Sequence, residues 1–179
     1  VEAGKELAGR RDGTFSEEGM LSGTALSADG ASQAGMGVDA ADFDRDGDLD
    51  IVVTNYQLEN NTLYLNNYPF FDEVSFNSGI GEVSLNYLGF GVGFFDWDND
   101  GWLDLFVTNG HVHDNIERYD PIVTYPQRAQ VFRNLGDRKF VDITDELGAA
   151  LQKPYVGRGL AFADYDDDGD IDVAVSPSG

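Results

Sequence analysis

The sequence has no cysteine, which excludes a disulfide framework and any thiolate metal site. Basic residues are scarce: 11 Lys and Arg against 33 Asp and Glu leave a formal charge of −22. Such a surface repels phosphate backbones and anionic headgroups, so nucleic acid and membrane surfaces are not expected partners, whereas cations are. No apolar run approaches the roughly 20 residues of a membrane-spanning helix, so no membrane insertion is expected. No signal peptide opens the chain, and Val1 reads as the start of a mature or excised segment. The long 3.6-residue periodicity of a helical bundle is also missing.

What is present suffices for a folded core. Of 179 residues, 41% are apolar and 12% aromatic, which argues against disorder despite the charge. The acidity is concentrated in three similar stretches, "DFDRDGDLD" (42–50), "DWDNDGWLD" (96–104) and "DYDDDGDID" (164–172). Each is preceded by a Gly-x-Gly segment ("GMGVDAAD", "GFGVGFFD", "GRGLAFAD") and followed by an apolar one ("LDIVVTN", "LDLFVTN", "IDVAVSP"). A second apolar segment, "LYLNN" (63–67) or "VFRNL" (131–135), comes next. Tyr64 and Phe132 each lie 32 residues before the following acidic loop. The 14 extra residues of the second copy therefore all fall between Asn109 and Phe132. "ELAGRRDGTF" (6–15) aligns more weakly with "VFRNLGDRKF" (131–140).

This frame predicts an all-β chain of tandem four-stranded, propeller-type blades, about three repeat units in all. Residues 1–34 are the second half of a unit and 35–88 repeat one. Residues 89–156 are repeat two, with an inserted loop at about 110–130, and 157–179 are the first half of a further unit. The Gly-x-Gly segment is the first strand, and the acidic loop turns it into the second. "LYLNN" is the third strand, and "FFDEVS" or "FVDITD" the fourth. The second strands (Ile51–Thr54, Leu105–Thr108, Val173–Ser176) are near-continuous apolar runs, the pattern of strands covered on both faces.

In each acidic loop positions 1, 3, 5 and 9 are aspartate and position 6 is glycine. These are Asp42, Asp44, Asp46 and Asp50; Asp96, Asp98, Asp100 and Asp104; and Asp164, Asp166, Asp168 and Asp172. The glycine allows the positive φ that turns the chain, and the carbonyl at position 7 (Asp48, Trp102, Asp170) can then face inward. Two carboxylates about 4 Å apart repel by roughly 4 kcal/mol at an effective dielectric of 20. Four of them need a counter-ion, and a hard cation with oxygen ligands fits, calcium better than magnesium. With neither Cys nor His in the loops, zinc and copper are disfavoured. An EF-hand would need Glu at position 12, where Val53, Val107 and Val175 stand instead. The expectation is about three Ca2+ ions, one per hairpin loop.

The order Gly-x-Gly, "DFDRDGDLD", apolar strand, "LYLNN" and "FVDITDELG" resembles the FG-GAP/VCBS repeats of integrin-alpha-like propellers. "LFVTNGHVHDN", "YPQRAQVFRNLGDRKFVDITDELG" and "GRGLAFADYDDDGDIDV" resemble the ASPIC/UnbV-type proteins built from such repeats. The resemblance covers most of the chain from about residue 12. It implies a calcium-binding extracellular or cell-surface scaffold used in adhesion or ligand binding, not an enzyme. A cysteine-free chain of that kind suits a secreted bacterial protein. Related propellers have about seven blades, and this chain has material for three. The half-units at its two ends imply completion by parts of a longer chain, or by another subunit in a ring or filament.

Outside the loops, His111 and His113 in "NGHVHDN" could share a metal with Asp114, or be ordinary loop residues. The insertion's Arg118, Tyr119, Tyr125 and Arg128 could bind a protein or glycan ligand, or pack onto their own blade. Gly-Phe-Gly-Val-Gly (89–93) precedes an acidic turn rather than a helix, so it is no dinucleotide fingerprint. "NNT" makes Asn60 a glycosylation acceptor in a predicted loop. The alternative function is a carbohydrate-active enzyme or its sugar-binding accessory region.

Overall fold

A computed structural model describes residues 6–178. The predicted first and last segments also include residues 1–5 and 179, which lie outside the described residues. Strands β1 (Leu7–Gly9) and β2 (Phe15–Glu17) form a hairpin, followed by one helical turn, α1 (Gly19–Ser22). Strands β3 (Val38–Ala41), β4 (Asp50–Val53), β5 (Thr62–Asn67) and β6 (Phe70–Glu73) form an antiparallel meander, sheet one. Two short helices, α2 (Ser75–Ser78) and α3 (Gly81–Ser84), lead to sheet two: β7 (Gly89–Phe95), β8 (Asp104–Asn109), β9 (Gln130–Asn134) and β10 (Phe140–Asp142). After α4 (Ala149–Gln152), β11 (Gly157–Ala163) and β12 (Asp172–Pro177) pair as a third, two-stranded sheet. The described residues thus make two complete four-stranded sheets and two half-sheets, and they do not close a ring.

The registers repeat. Ile51 faces Tyr64 in sheet one, and Leu105 faces Phe132 in sheet two. Leu7 faces Glu17 and Gly9 faces Phe15, as Phe132 faces Asp142 and Asn134 faces Phe140. The β1–β2 hairpin is therefore built as the outer half of a sheet.

Each sheet packs face to face on the next. Val52, Leu63 and Leu65 of sheet one meet Phe94, Leu105, Val107 and Phe132 of sheet two around buried Phe43. On the far side, Phe95, Phe106 and Val131 meet Leu160, Phe162, Val173 and Val175 of sheet three. Strand β8 is therefore buried along its whole length. β12 alternates between part-buried and exposed, because only one of its faces is covered. The expectation that all three second strands are covered on both faces holds along the full length of β8 only.

The Gly-x-Gly segments let first strands approach closely. A Cβ at Gly37 would lie 1.9 Å from the Phe90 carbonyl oxygen, and one at Gly91 2.8 Å from Leu160 Cβ. A hydroxyl at the end of the second strand closes each seam. Thr54 Oγ1 accepts from the Gly37 N–H (2.9 Å) and donates to the Phe90 carbonyl (2.7 Å). Thr108 Oγ1 accepts from Gly91 (2.9 Å) and donates to Arg158 (3.3 Å).

The fourth strands end earlier than their sequences predict. β6 stops at Glu73 and β10 at Asp142, and a helical turn follows each, Ser75–Ser78 and the 3-10 turn Thr144–Glu146. A hydroxyl takes over the ladder at that point. Ser75 Oγ accepts the Leu63 N–H and Thr144 Oγ1 the Val131 N–H, both at 2.9 Å, which leaves the backbone free to turn.

Candidate metal centres

The three acidic loops fold alike because their side chains bond their own backbone. The carboxylate at position 1 accepts two N–H groups. Asp42 takes those of Asp46 and Gly47 (both 3.0 Å), Asp96 those of Asp100 (3.1 Å) and Gly101 (2.8 Å), and Asp164 those of Asp168 (3.1 Å) and Gly169 (3.0 Å). At position 5, Asp46, Asp100 and Asp168 accept the position-7 N–H of Asp48, Trp102 and Asp170 at 2.8–3.0 Å. The glycines have positive φ as expected (Gly47 99°, Gly101 86°, Gly169 95°). Position 4 is left-handed too, at Arg45, Asn99 and Asp167. The Asn and Asp at two of these three positions carry the only hint of this in the sequence.

This wrapping gathers positions 1, 3 and 9. Asp42, Asp44 and Asp50 each offer a carboxylate oxygen within 4.8 Å of the others, as do Asp96, Asp98 and Asp104, and Asp164, Asp166 and Asp172. Asp46, Asp100 and Asp168 are not part of these triads. Position 9 anchors the triad to the sheet. Asp50 accepts from Phe43 (3.3 Å) and from Asn66 on β5 (2.9 Å), and Asp104 from Trp97 (3.1 Å) and from Asn134 on β9 (2.8 Å). Asn66 and Asn134 were not among the residues singled out from the sequence. Both stand two residues after the aligned Tyr64 and Phe132, and that shared offset was the available signal.

Burial makes these carboxylates costly to ionise. Asp50 and Asp104 are fully buried, and desolvation pushes each pKa up to about 6, against the pull of the Asn66 and Asn134 N–H groups. In loop two, Asp98 Oδ1 is buried with no hydrogen-bond partner. A buried carboxylate oxygen without a partner calls for a positive charge or a donor. The donors are all oxygen, so the residues fit a hard divalent cation.

The loops lie side by side on one rim. The Arg45 guanidinium donates to the Gly101 carbonyl and sits 4.3 Å from the Trp102 ring centroid. Asn99 donates to Asp170 at 3.1 Å. Arg138, from the β9–β10 turn, pairs with Asp44 at 2.7 Å.

The insertion does not gather its candidates into one site. His111 is fully buried: its Nδ1 accepts the His113 N–H at 3.0 Å, and its Nε2 lies 3.4 Å from the Tyr56 hydroxyl. Its own N–H donates to the Tyr125 carbonyl at 2.9 Å. Among the described residues, His111, His113 and Asp114 do not form a metal-ligating group. Arg118 and Tyr119 project into solvent, Tyr125 is half-buried, and the Arg128 side chain bonds Tyr87 and Asp145. Buried Ile116 and Val123 fasten the loop down, and Asp120 accepts from Gln57 in the β4–β5 turn at 2.8 Å. Asn60 sits in the β4–β5 turn but is 8% exposed, and its Nδ2, the atom a glycan would take, donates to the Asn61 carbonyl at 3.0 Å. That is not the open amide expected of a surface acceptor.

Known proteins speak to the repeat. The model of the FG-GAP-like repeat matches twice, at residues 42–107 and 114–175, well over half the chain. This chain belongs to the FG-GAP-like repeat family. Each match begins close to one acidic loop or insertion and runs into the next loop and strand, so the family unit spans the seam between consecutive sheets. No curated protein matches the chain significantly. No helix among the described residues is long and apolar enough to cross a membrane.

Proposed function

We propose that this FG-GAP repeat chain is a calcium-stabilised structural or ligand-binding module that acts outside the cell, in adhesion or scaffolding, without catalysis. The observation that carries the reading is the carboxylate triad, built three times by the same internal hydrogen bonds. Positions 1, 3 and 9 would hold the ion. The carboxylate at position 5 and the carbonyls of Asp48, Trp102 and Asp170 are available to add ligands. The ion would supply charge neutralisation and a fixed turn. The chain's own residues do the rest: in sheets one and two they hold the first hairpin to the third strand through Asn66 and Asn134.

An extracellular setting accords with the millimolar calcium there, which suits oxygen sites of modest affinity. The solvent-facing Arg118 and Tyr119 of the insertion are the residues best placed to meet a protein or glycan ligand. The kinship to ASPIC/UnbV-type proteins belongs to this same reading.

The test is calcium titration of chelator-treated protein, followed by calorimetry and thermal melting. Binding to the native state alone adds about 2.7 kcal/mol at a hundredfold excess over Kd, so the midpoint should rise steeply with calcium and little with magnesium. A midpoint indifferent to both ions, with no heat of binding, would overturn the reading.

A further inference from the structure

In both complete sheets a side-chain oxygen ahead of the third strand clasps the backbone that leads into the first strand. In sheet one Glu59 Oε2 accepts the Ala34 N–H at 2.8 Å, and in sheet two Gln127 Oε1 accepts the Leu88 N–H at 3.0 Å. The partners correspond in the repeat frame, Ala34 to Leu88 and Glu59 to Gln127. The clasp needs only an acceptor, and glutamine adds an amide nitrogen that donates, which glutamate lacks. Gln127 is 5% exposed, and among the described residues its Nε2 has no hydrogen-bond partner. The Leu88 N–H holds the amide in that orientation. A buried donor left in this way calls for an acceptor.

Gln127 lines a cavity of about 370 Å³, between the α3–β7 connection, the returning arm of the insertion and the residues after α4. Its volume is in the roughly 300–1,000 Å³ range of small-molecule sites. Arg128, also in the wall, donates from Nε to the Tyr87 hydroxyl (3.2 Å) and from Nη1 to Asp145 and to Gln152 Oε1 (3.5 Å). Its Nη2 has no partner among the described residues, and the Tyr87 proton has no acceptor there. Ile122, Pro126 and Pro154 supply apolar surface. The arm is fixed before any ligand arrives: Gln127 and Tyr155 exchange two backbone hydrogen bonds (3.0 and 3.1 Å), and the His111 N–H holds the Tyr125 carbonyl.

We propose that this cavity binds a neutral saccharide, whose hydroxyl oxygens accept from Gln127 Nε2, Arg128 Nη2 and the Tyr87 hydroxyl while its C–H face lies on the prolines. Charge selects a neutral ligand. The chain carries a formal charge of −22, yet no Asp or Glu lines the cavity, and Asp145 compensates the Arg128 guanidinium. An anion would enter against the field of the whole molecule, and a cation would find no carboxylate in the wall. A polyhydroxylated neutral ring meets neither obstacle, and it satisfies donors and apolar surface together. The inference rests on the ligand-binding side of the reading above and not on its calcium side. Neither the acidic loops nor Arg118 and Tyr119 line the cavity.

Ligand-observed NMR and calorimetry on the whole chain in calcium-replete buffer, with the methyl glycosides of glucose, galactose and mannose and with maltose and cellobiose, should show saturable binding of at least one sugar. Sodium glucuronate should bind about tenfold more weakly than the best of them. Gln127→Glu keeps the clasp, as Glu59 does in sheet one, but replaces the donor, and should weaken the best sugar about tenfold. Tyr87→Phe removes only the hydroxyl and should weaken it about fivefold; it decides the matter if Gln127→Glu melts early. Saturation by none of these sugars would overturn the proposal. So would a preference for glucuronate, or binding unchanged in folded Gln127→Glu and Tyr87→Phe. The calcium-dependent rise in melting midpoint, read on the same samples, reports separately on the metal sites.

Discussion

Loops 42–50 and 164–172 have the same aspartates, the same positive-φ positions and the same internal hydrogen bonds, yet Asp50 is buried and Asp172 exposed. Loop 96–104 sides with the first. The two buried cases have a third strand, which brings Asn66 or Asn134 to the carboxylate, whereas sheet three has two strands among the described residues. The turn is therefore a local product of the nine residues, and the environment of the ninth is a product of the sheet. A motif match alone says how the loop bends. It does not say how far the site is desolvated, and desolvation governs how strongly the carboxylates need a counter-charge.

Substituting position 9 tests this distinction most severely. Asp104→Ala strands the N–H groups of Trp97 and Asn134 in the interior, at about 1–3 kcal/mol each. Urea unfolding in chelator should show a loss of about 3 kcal/mol, and Asp172→Ala less than about 0.5 kcal/mol. Equal losses would mean that the third strand contributes nothing. The seams give the next largest contrast. Gly37→Ala drives a methyl into the Phe90 carbonyl and should cost about 2–3 kcal/mol, whereas Gly159→Ala, whose Cβ would meet only the Ser176 side chain at 3.3 Å, should cost under about 1 kcal/mol.

Asn134 and Asn66 sharpen the comparison within the buried pair. The Asn134 amide donates to Leu103 (3.0 Å) and to Phe43 of the neighbouring sheet (2.9 Å), and accepts from Gly136 (2.9 Å). Asn66 donates only to Leu49, in an exposed setting (3.0 Å). Asn134→Ala should lose about 2 kcal/mol and Asn66→Ala about half that. A larger loss at Asn66 would contradict the role given to the cross-sheet bond.

Much of the repeat was legible in the sequence. The shared spacing of Tyr64 and Phe132 located the insertion, and the same residues face Ile51 and Leu105 in the sheets. Gly-x-Gly marked the first strands, although its reason, the approach of a neighbouring backbone to Gly37 and Gly91, is a property of the seam and not of the segment. The fourth strands are shorter than their sequences predict. "DEVS" and "DITD" continue a strand pattern, while the hydroxyls of Ser75 and Thr144 replace the ladder one strand away. His111 showed the widest gap. A histidine in a polar loop sequence gives no sign that the insertion will fold back and bury it against Tyr56, because that contact joins residues 55 positions apart.

The smallest expected effect concerns acid and the buried ring of His111. Burial is the main cause that holds the His111 pKa below its usual value, aided by the charges of His113 and Arg158, although the His113 N–H contact works against it. The folded chain therefore keeps His111 neutral at a pH where the unfolded chain, titrating near 6.5, already binds a proton. Its contribution is present above that value and is lost as pH falls through it toward the lower folded value. In the neutral ring Nδ1 accepts from His113, so the proton is on Nε2, facing the Tyr56 hydroxyl. His111→Gln, which keeps a polar side chain there, should flatten the acid slope of the melting temperature by the equivalent of under about 1 kcal/mol. If the slope is unchanged in His111→Gln, the buried ring is not the group through which acid acts.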